Sequence, residues 1–257
     1  MPSWDSVQYL KFEDARTRPA AELLARLPLT AAELVVDLGC GPGNSTELLR
    51  ARWPAAELVG VDNSADMLQR ARQVLPDVRF EQADVREYRS ARPCDVLFAN
   101  AVLQWVPDHA QLLPQLFSQL RAGGVLALQM PDNWEEPSHR SMRALAAAYG
   151  LSDSQVNARG DVQAPERYYD LLAPDAANDV DIWRTRYEHV MPDAAAIVEW
   201  VKGTALRPYL EAFGGDDAQR AAFLRDYEGE IARAYPPRAD GRRLFSFPRL
   251  FVVAMHR

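Results

Sequence analysis

The sequence predicts an α/β protein built on a doubly wound, mostly parallel sheet with a helical cap. Three observations predict it. From Glu33 to Met130, short apolar runs alternate with helix-patterned stretches of about 10–15 residues. The first apolar run ends in a glycine cluster, Gly39-Cys40-Gly41-Pro42-Gly43. After Met130 the alternation stops, and long helical stretches rich in aromatic residues take over.

Residues 1–17 are mixed and aromatic and read as an N-terminal arm, with Trp4, Tyr9 and Phe12 in it. Pro19 opens a helical pattern with Leu23, Leu24 and Leu27 on one side. Glu33 to Leu38 reads as a buried strand, and Gly43 to Trp53 as a helix that turns Leu48 and Leu49 inward. The same rhythm gives strands at Glu57–Val61, Val78–Gln82, Cys94–Asn100 and Gly124–Met130. Helices are expected at Ser64–Leu75 and Asp108–Arg121. Beyond Met130 the pattern predicts a helix near Ser138–Tyr149, a strand at Val180–Val190, mostly helix over Ala194–Tyr235 and a last strand at Leu250–Met255. The 257 residues suit one domain with cap segments over about 131–175 and 192–240.

Composition narrows the function. Hydrophobic residues make up 48% of the chain and the formal net charge is −7. Proteins that grip nucleic acid usually carry a basic face, so none is expected as a partner. No run of about 18 apolar residues occurs, which predicts no membrane span. The N-terminus lacks a basic region followed by an apolar one, so no secretory signal is expected and the cytoplasm is the expected setting. Cys40 and Cys94 fall in separate apolar stretches and suit buried thiols in a reducing compartment. No metal-ligand spacing appears, so no metal is expected. Lysine occurs only at Lys11 and Lys202, and the other basic residues are arginines. That bias reflects either a genome rich in G and C or a use for guanidinium forks on carboxylates.

The strongest local pattern is Val35-Val36-Asp37-Leu38-Gly39-Cys40-Gly41-Pro42-Gly43: a strand, a tight turn and a helix start. Glycines there let the backbone turn sharply and approach a ligand, and the helix start presents unpaired amides. A dinucleotide turn would read G-x-G-x-x-G, whereas here the third glycine, Gly43, comes one place early. Asp37 is expected at the mouth of the pocket, where it repels a pyrophosphate and attracts an ammonium or sulfonium. That combination favours S-adenosylmethionine. Asp62 follows about 20 residues later, at the end of the second strand, and either accepts from two ribose hydroxyls or caps the next helix. Asp84, in Ala83-Asp84-Val85 after the third strand, accepts from an adenine amino group or is a solvated loop acid. Met67 packs on the adenosine or in the core.

These residues, with Asn100-Ala101-Val102-Leu103-Gln104-Trp105, resemble the ordered motifs of the class I S-adenosylmethionine-dependent methyltransferases over residues 33–130. The resemblance implies a seventh strand, antiparallel and beside the sixth, for which Val180–Val190 and Leu250–Met255 are candidates. It implies cofactor contacts at Asp37, Gly39, Gly41, Gly43, Asp62, Met67, Asp84, Val85, Asn100, Ala101 and Trp105. Asn100 and Ala101 would meet the methionine moiety. Gln104 and Trp105 would face the methyl-transfer point, unless Trp105 packs a helix.

Further segments resemble the branch of that family that esterifies trans-aconitate, a six-carbon tricarboxylate. They are Trp4 with Tyr9 and Phe12, Ala99 to Trp105, Gln129 to Trp134, Val180 to Thr185, Leu206-Arg207-Pro208-Tyr209 and Phe247-Pro248-Arg249-Leu250-Phe251. A carboxylate is already ionised at neutral pH, so no catalytic general base is expected. The four scattered histidines, His109, His139, His189 and His256, agree with that. A small tricarboxylate substrate needs cationic and hydrogen-bonding partners. Candidates are Arg207, Tyr209, Arg249, Trp134 and His139, with Tyr9 and Arg18 nearer the N-terminus. Three other readings stay open: a methyltransferase of the same class acting on another small acid or hydroxyl, a nicotinamide-dependent oxidoreductase, and a binding protein without turnover. Asp37 and the displaced third glycine count against the oxidoreductase.

Overall fold

The computed structural model describes residues 13–152 and 162–257. In chain order the elements are α1 (Glu13–Ala25), β1 (Leu34–Leu38), α2 (Asn44–Arg52), β2 (Glu57–Asp62), α3 (Ala65–Val74), β3 (Arg79–Gln82), β4 (Cys94–Asn100), a 3-10 turn (Leu103–Trp105), α4 (His109–Phe117) and β5 (Leu120–Pro131). They continue with α5 (Pro137–Ala148), α6 (Pro165–Leu172), β6 (Asp181–Met191), α7 (Ala194–Lys202), α8 (Arg207–Ala212), α9 (Asp217–Ala234) and β7 (Arg243–Met255). The strands form one seven-stranded sheet in the order β3-β2-β1-β4-β5-β7-β6. The first five pair in parallel. Gly123 and Gly124 exchange backbone hydrogen bonds with His256, while Asp132 reaches Pro248. As β5 advances, its partner on β7 therefore recedes, so β7 runs antiparallel. The expected doubly wound, mostly parallel seven-stranded sheet is what forms.

Sequence explains the buried centre. β1 is Leu-Val-Val-Asp-Leu, every residue buried. A strand covered on both faces cannot alternate, and a continuous apolar run is its usual form. Val36, Leu38, Val59, Val61, Leu97, Ala99, Leu126 and Leu128 join one apolar cluster with Leu112, Leu113 and Leu116 of α4. Each large side chain so buried contributes about 1.5–3 kcal/mol.

The chain divides into two compact units. The larger comprises, among the described residues, Glu13–Pro131, 162–185 and Leu250–Arg257. The smaller comprises, among the described residues, 132–152 and Arg186–Arg249. In the smaller unit α9 packs on α5 and α7. Its helical stretch breaks at Gly203 and again at Gly214-Gly215, so three helices stand where the sequence reads as one long helical region. Among the described residues no helix is long and apolar enough to cross a membrane.

Several boundaries differ from expectation, each for a local reason. α1 begins at Glu13, with Pro19 inside it. Proline has a helical φ and costs the helix only the one bond its missing N–H would have made, plus crowding. β5 begins at Leu120, where the helical pattern runs on to Arg121. Leu120 pairs with Cys94, and the Arg121 guanidinium donates to Asp95 at 2.5 Å, so the tertiary partners override that pattern. β7 starts at Arg243, seven residues before the expected Leu250. Ser246, Pro248 and Arg249 disguise it, because polar residues and a proline read as loop. In α2, Leu49 is buried but Leu48 is only partly so, and Ser45 and Thr46 turn inward instead.

Candidate functional site

Register brings the site together. Leu38 of β1 lies beside Val61 of β2 and beside Ala99 of β4. The next residues, Gly39, Asp62 and Asn100, therefore stand abreast just past the carboxyl end of the sheet. In open α/β sheets that edge is where ligands bind.

The turn between β1 and α2 needs glycine for two separate reasons. Gly39 has φ +67, and a Cβ there would sit 2.3 Å from the Val102 side chain. The backbone and the turn after β4 thus close on each other. Gly41 has φ +55, and a Cβ added there would meet nothing within 4 Å, so one side of the turn faces open space. Its amide donates to Asp62 Oδ2 at 2.9 Å.

The two acids beside this turn differ. Asp37 was expected to open onto the pocket mouth, and it does not: it is fully buried. Its Oδ2 accepts from Ser45 Oγ and Thr46 Oγ1, both at 2.7 Å, which pins the start of α2 to β1. Its Oδ1 has no hydrogen-bond partner among the described residues. Burial pushes its carboxyl up to about 7, against the opposing pull of the two hydroxyls. Asp62 is partly exposed and takes the Gly41 amide on Oδ2 and the Ser64 amide on Oδ1 at 2.8 Å. Burial raises its carboxyl, and those amides hold it down. Ser64, not Asp62, caps α3, by accepting from the Met67 amide. Of the two acids, then, only Asp62 reaches the turn, through the Gly41 amide, while Asp37 is sealed beneath it.

Asp84 stands two residues past Gln82, which pairs with Asp62. Arg86 grips its carboxylate at 3.0 and 2.6 Å and holds it below the usual range. Val85 belongs to the apolar cluster, and Met67 is buried on α3. After β4, Ala101 has φ +54, a strained value for a residue with a Cβ. Its amide donates to Gln129 O, and its carbonyl accepts from Gln104 Nε2 at 2.7 Å. That bond fixes which end of the Gln104 amide is oxygen. Gln104 Oε1 and Asn100 Oδ1 are buried acceptors with no hydrogen-bond partner among the described residues. Trp105 closes the 3-10 turn and is partly exposed. The sequence did not single out Val102 or the Ser45-Thr46 pair. A hydroxyl pair at the first turn of the helix after an acidic strand end is the pattern that would have found the latter.

Five of the residues considered for substrate lie in the smaller unit. Trp134 carries the Arg143 guanidinium 4.1 Å from its ring centroid, and Arg143 also donates to the Trp134 carbonyl. His139 is buried on α5, with Nδ1 3.1 Å from Ser138 Oγ. Tyr209 is buried on α8 and stacks on Phe223 of α9, and Tyr227 of α9 donates to the Ser138 carbonyl. α9 thus brings the Tyr209 and His139 segments onto one layer. Arg249 is buried on β7 beside the Phe247 ring, at 4.9 Å. Arg207 is ion-paired along its own helix to Glu211 at 2.7 Å. Arg18 belongs to the larger unit, exposed and paired with Glu22. Tyr9 lies outside the described residues.

A family model for a methyltransferase domain matches residues 35–124, the stretch that carries the glycine turn, Asp62 and the turn after β4. A trans-aconitate 2-methyltransferase of Azoarcus sp. (strain BH72) is 59% identical over 99% of this chain and 100% of its own length. The chain belongs to the trans-aconitate 2-methyltransferase family. A member from Methylobacterium radiotolerans is 57% identical over 99% of this chain and 98% of its own. Among solved structures, the YcgJ protein of Bacillus subtilis matches with a TM-score of 0.61 at 15% identity, over 93% of this chain and 99% of that one. A methyltransferase-like protein of Bacillus halodurans matches with a TM-score of 0.59, also at 15% identity, over 93% and 98%. At that identity the likeness is one of fold. Identity across the full length of its relatives extends family membership to the smaller unit, which the methyltransferase-domain model does not reach.

Proposed function

We propose that the protein moves a methyl group from S-adenosylmethionine to a carboxylate of trans-aconitate, giving a monomethyl ester and S-adenosylhomocysteine. The observation that carries this reading is the 59% and 57% identity, end to end, to proteins named for that activity. Two free, buried cysteines suit a reducing compartment and support a cytoplasmic setting.

The residues at the strand ends fit the methyl donor. Gly41 leaves the backbone bare on the side of the turn that faces open space, and Gly39 lets the turn after β4 close against it. Asp62, the partly exposed member of the acid pair, suits a pair of ribose hydroxyls. Asn100 Oδ1 and Gln104 Oε1 are buried acceptors that suit an ammonium donor. A pyrophosphate would meet acids and acceptors here, which disfavours the dinucleotide reading. Asp84, already gripped by Arg86, contributes to adenine only through what that pair leaves exposed.

When bound, the donor supplies an electrophilic methyl on a sulfonium, which a carboxylate oxygen takes without prior deprotonation. The chain's work is placement. Holding two reactants in line supplies about 7–11 kcal/mol of the barrier. Arg249 and Arg207 are the cations we assign to the substrate's other carboxylates, because a guanidinium fork matches a carboxylate in two bonds. Tyr209, Trp134 and His139 are assigned as their neighbours in the same unit.

The test is transfer of labelled methyl to trans-aconitate, beside a panel of di- and tricarboxylates, amines and phenols. Ester formation on trans-aconitate is expected; transfer confined to amines or phenols would overturn the reading. In the same preparation Asp62→Asn should weaken S-adenosylhomocysteine binding about tenfold to a hundredfold, since hydrogen bonds to a charged group contribute about 1.5–3 kcal/mol. Calorimetric affinity within threefold of the original would remove Asp62 from the ribose site.

A further inference from the structure

We infer that His109 and Tyr168 form a positioning brace that sets the turn after β4 for methyl transfer; the inference rests on the function proposed above. His109 stands at the start of α4. It is buried, and both ring nitrogens are engaged. Nε2 lies 2.9 Å from the Leu103 carbonyl, which only accepts, so Nε2 carries a proton. Nδ1 lies 2.8 Å from the Tyr168 hydroxyl. That hydroxyl already accepts from the Gln163 amide at 3.0 Å, so its own proton points to Nδ1 rather than to the more distant Met130 sulfur at 3.9 Å. One directed chain of bonds therefore runs Gln163 N–H to Tyr168 O–H to His109 to Leu103 O.

Its end point matters. Leu103 opens the 3-10 turn that carries Gln104, and Gln104 holds the strained Ala101 by its carbonyl. Val102, between them, is the side chain against which Gly39 has room for no Cβ. Three parts of the site thus hang from one short segment: the buried Gln104 acceptor, the Ala101 conformation and the closeness of the glycine turn. A loop with a residue at positive φ does not hold that shape alone; the surroundings must impose it. Core packing does not demand a histidine here, because an apolar side chain would satisfy the cluster without it. The bond to Leu103 O is what a leucine cannot make. A displacement of about 1 Å in a reacting group costs about a hundredfold in rate.

The experiment uses the full chain with Tyr168→Phe, His109→Leu and His109→Gln. Glutamine places an amide N–H where Nε2–H stood. Saturating kcat on trans-aconitate is expected to fall at least tenfold in His109→Leu and severalfold in Tyr168→Phe. His109→Gln should restore it to within about threefold of the original. S-adenosylhomocysteine affinity should weaken severalfold in His109→Leu and Tyr168→Phe and recover in His109→Gln, the KM for trans-aconitate should stay within threefold throughout, and amides 101–106 should exchange faster in the two impaired variants. A folded His109→Leu or Tyr168→Phe protein with kcat within twofold of the original overturns the brace, as does His109→Gln no better than His109→Leu. Should His109→Leu not fold, Tyr168→Phe decides by the same criterion. Should the unmodified protein leave trans-aconitate untouched, the substrate reading falls on its own. Exchange at 101–106 then decides the brace, and unchanged protection in Tyr168→Phe overturns it.

Discussion

The larger unit builds its polar edge from backbone and short side chains; the smaller builds its polar interior from long ones. At the strand ends the working groups are glycine amides, two aspartates, an asparagine and a glutamine, each within a few residues of a strand. In the smaller unit they are arginines, tyrosines, a tryptophan and a histidine, carried on helices, a strand and the segment before α5. Short groups on a sheet edge are positioned by register, so their geometry is inherited from the core and tolerates little change. Long groups on helices are positioned by stacking on one another, as Tyr209 is on Phe223 and Arg143 on Trp134. The first kind suits a cofactor of fixed shape, and the second suits substrate choice that differs between related enzymes.

The sharpest way to break the comparison is Gly39→Ala. The new Cβ meets Val102 at 2.3 Å in a left-handed conformation. Overpacking of a tight site costs about 1–3 kcal/mol, and the left-handed φ about 1–2 more. We expect a loss of about 2–5 kcal/mol in urea unfolding and no measurable S-adenosylhomocysteine binding. Gly41→Ala, with open space around it, should lose only about 1 kcal/mol. Equal losses at the two positions would refute the claim that register, rather than glycine content, sets the site.

Next in size is Asp37→Asn. The folded state keeps the Asp37 proton up to about pH 7, whereas an unfolded aspartate loses it near 3.8. Folding therefore takes up a proton between those values, and this group's contribution, full below about pH 4, is lost as pH rises to 7. Asparagine has no proton to lose and still accepts from Ser45 and Thr46. The stability of the variant relative to the original should rise across that window, by at most about 4 kcal/mol. Other carboxylates cancel in the difference, since they are common to both proteins. A flat difference between about pH 4 and 8 would mean that Asp37 titrates as an ordinary acid.

The same contrast explains what the sequence disclosed. Strands β1 to β4 and the glycine turn were legible because an apolar run followed by Gly-x-Gly has few physical readings. Asp62 was legible because its distance from that turn is fixed by one helix. Asp37 misled: it stood in the right place, but residue spacing says nothing about which side of a strand is sealed. Only the hydroxyls of Ser45 and Thr46, folding back from α2, reveal that. The start of β7 stayed hidden behind Pro248 and Arg249, which a strand accepts only because its partners are in place. His109 reads as one of four scattered histidines, since its partners, Leu103 and Tyr168, lie 6 and 59 residues away.

The mildest test concerns the smaller unit. Arg249 is buried on β7 with its guanidinium beside Phe247, where a planar fork has both a stacking surface and a fixed direction. Arg249→Lys keeps the charge and most of the stem, and removes the fork and the stacking plane. If Arg249 holds a substrate carboxylate in two bonds, the KM for trans-aconitate should rise about tenfold, roughly 1.4 kcal/mol, through loss of one of them. S-adenosylhomocysteine affinity should stay within threefold if the strand-end site holds the cofactor by itself. A parallel loss of cofactor affinity would erase the division between a register-built cofactor edge and a stacking-built substrate layer. An unchanged KM would leave that division standing and shift the carboxylate to Arg207.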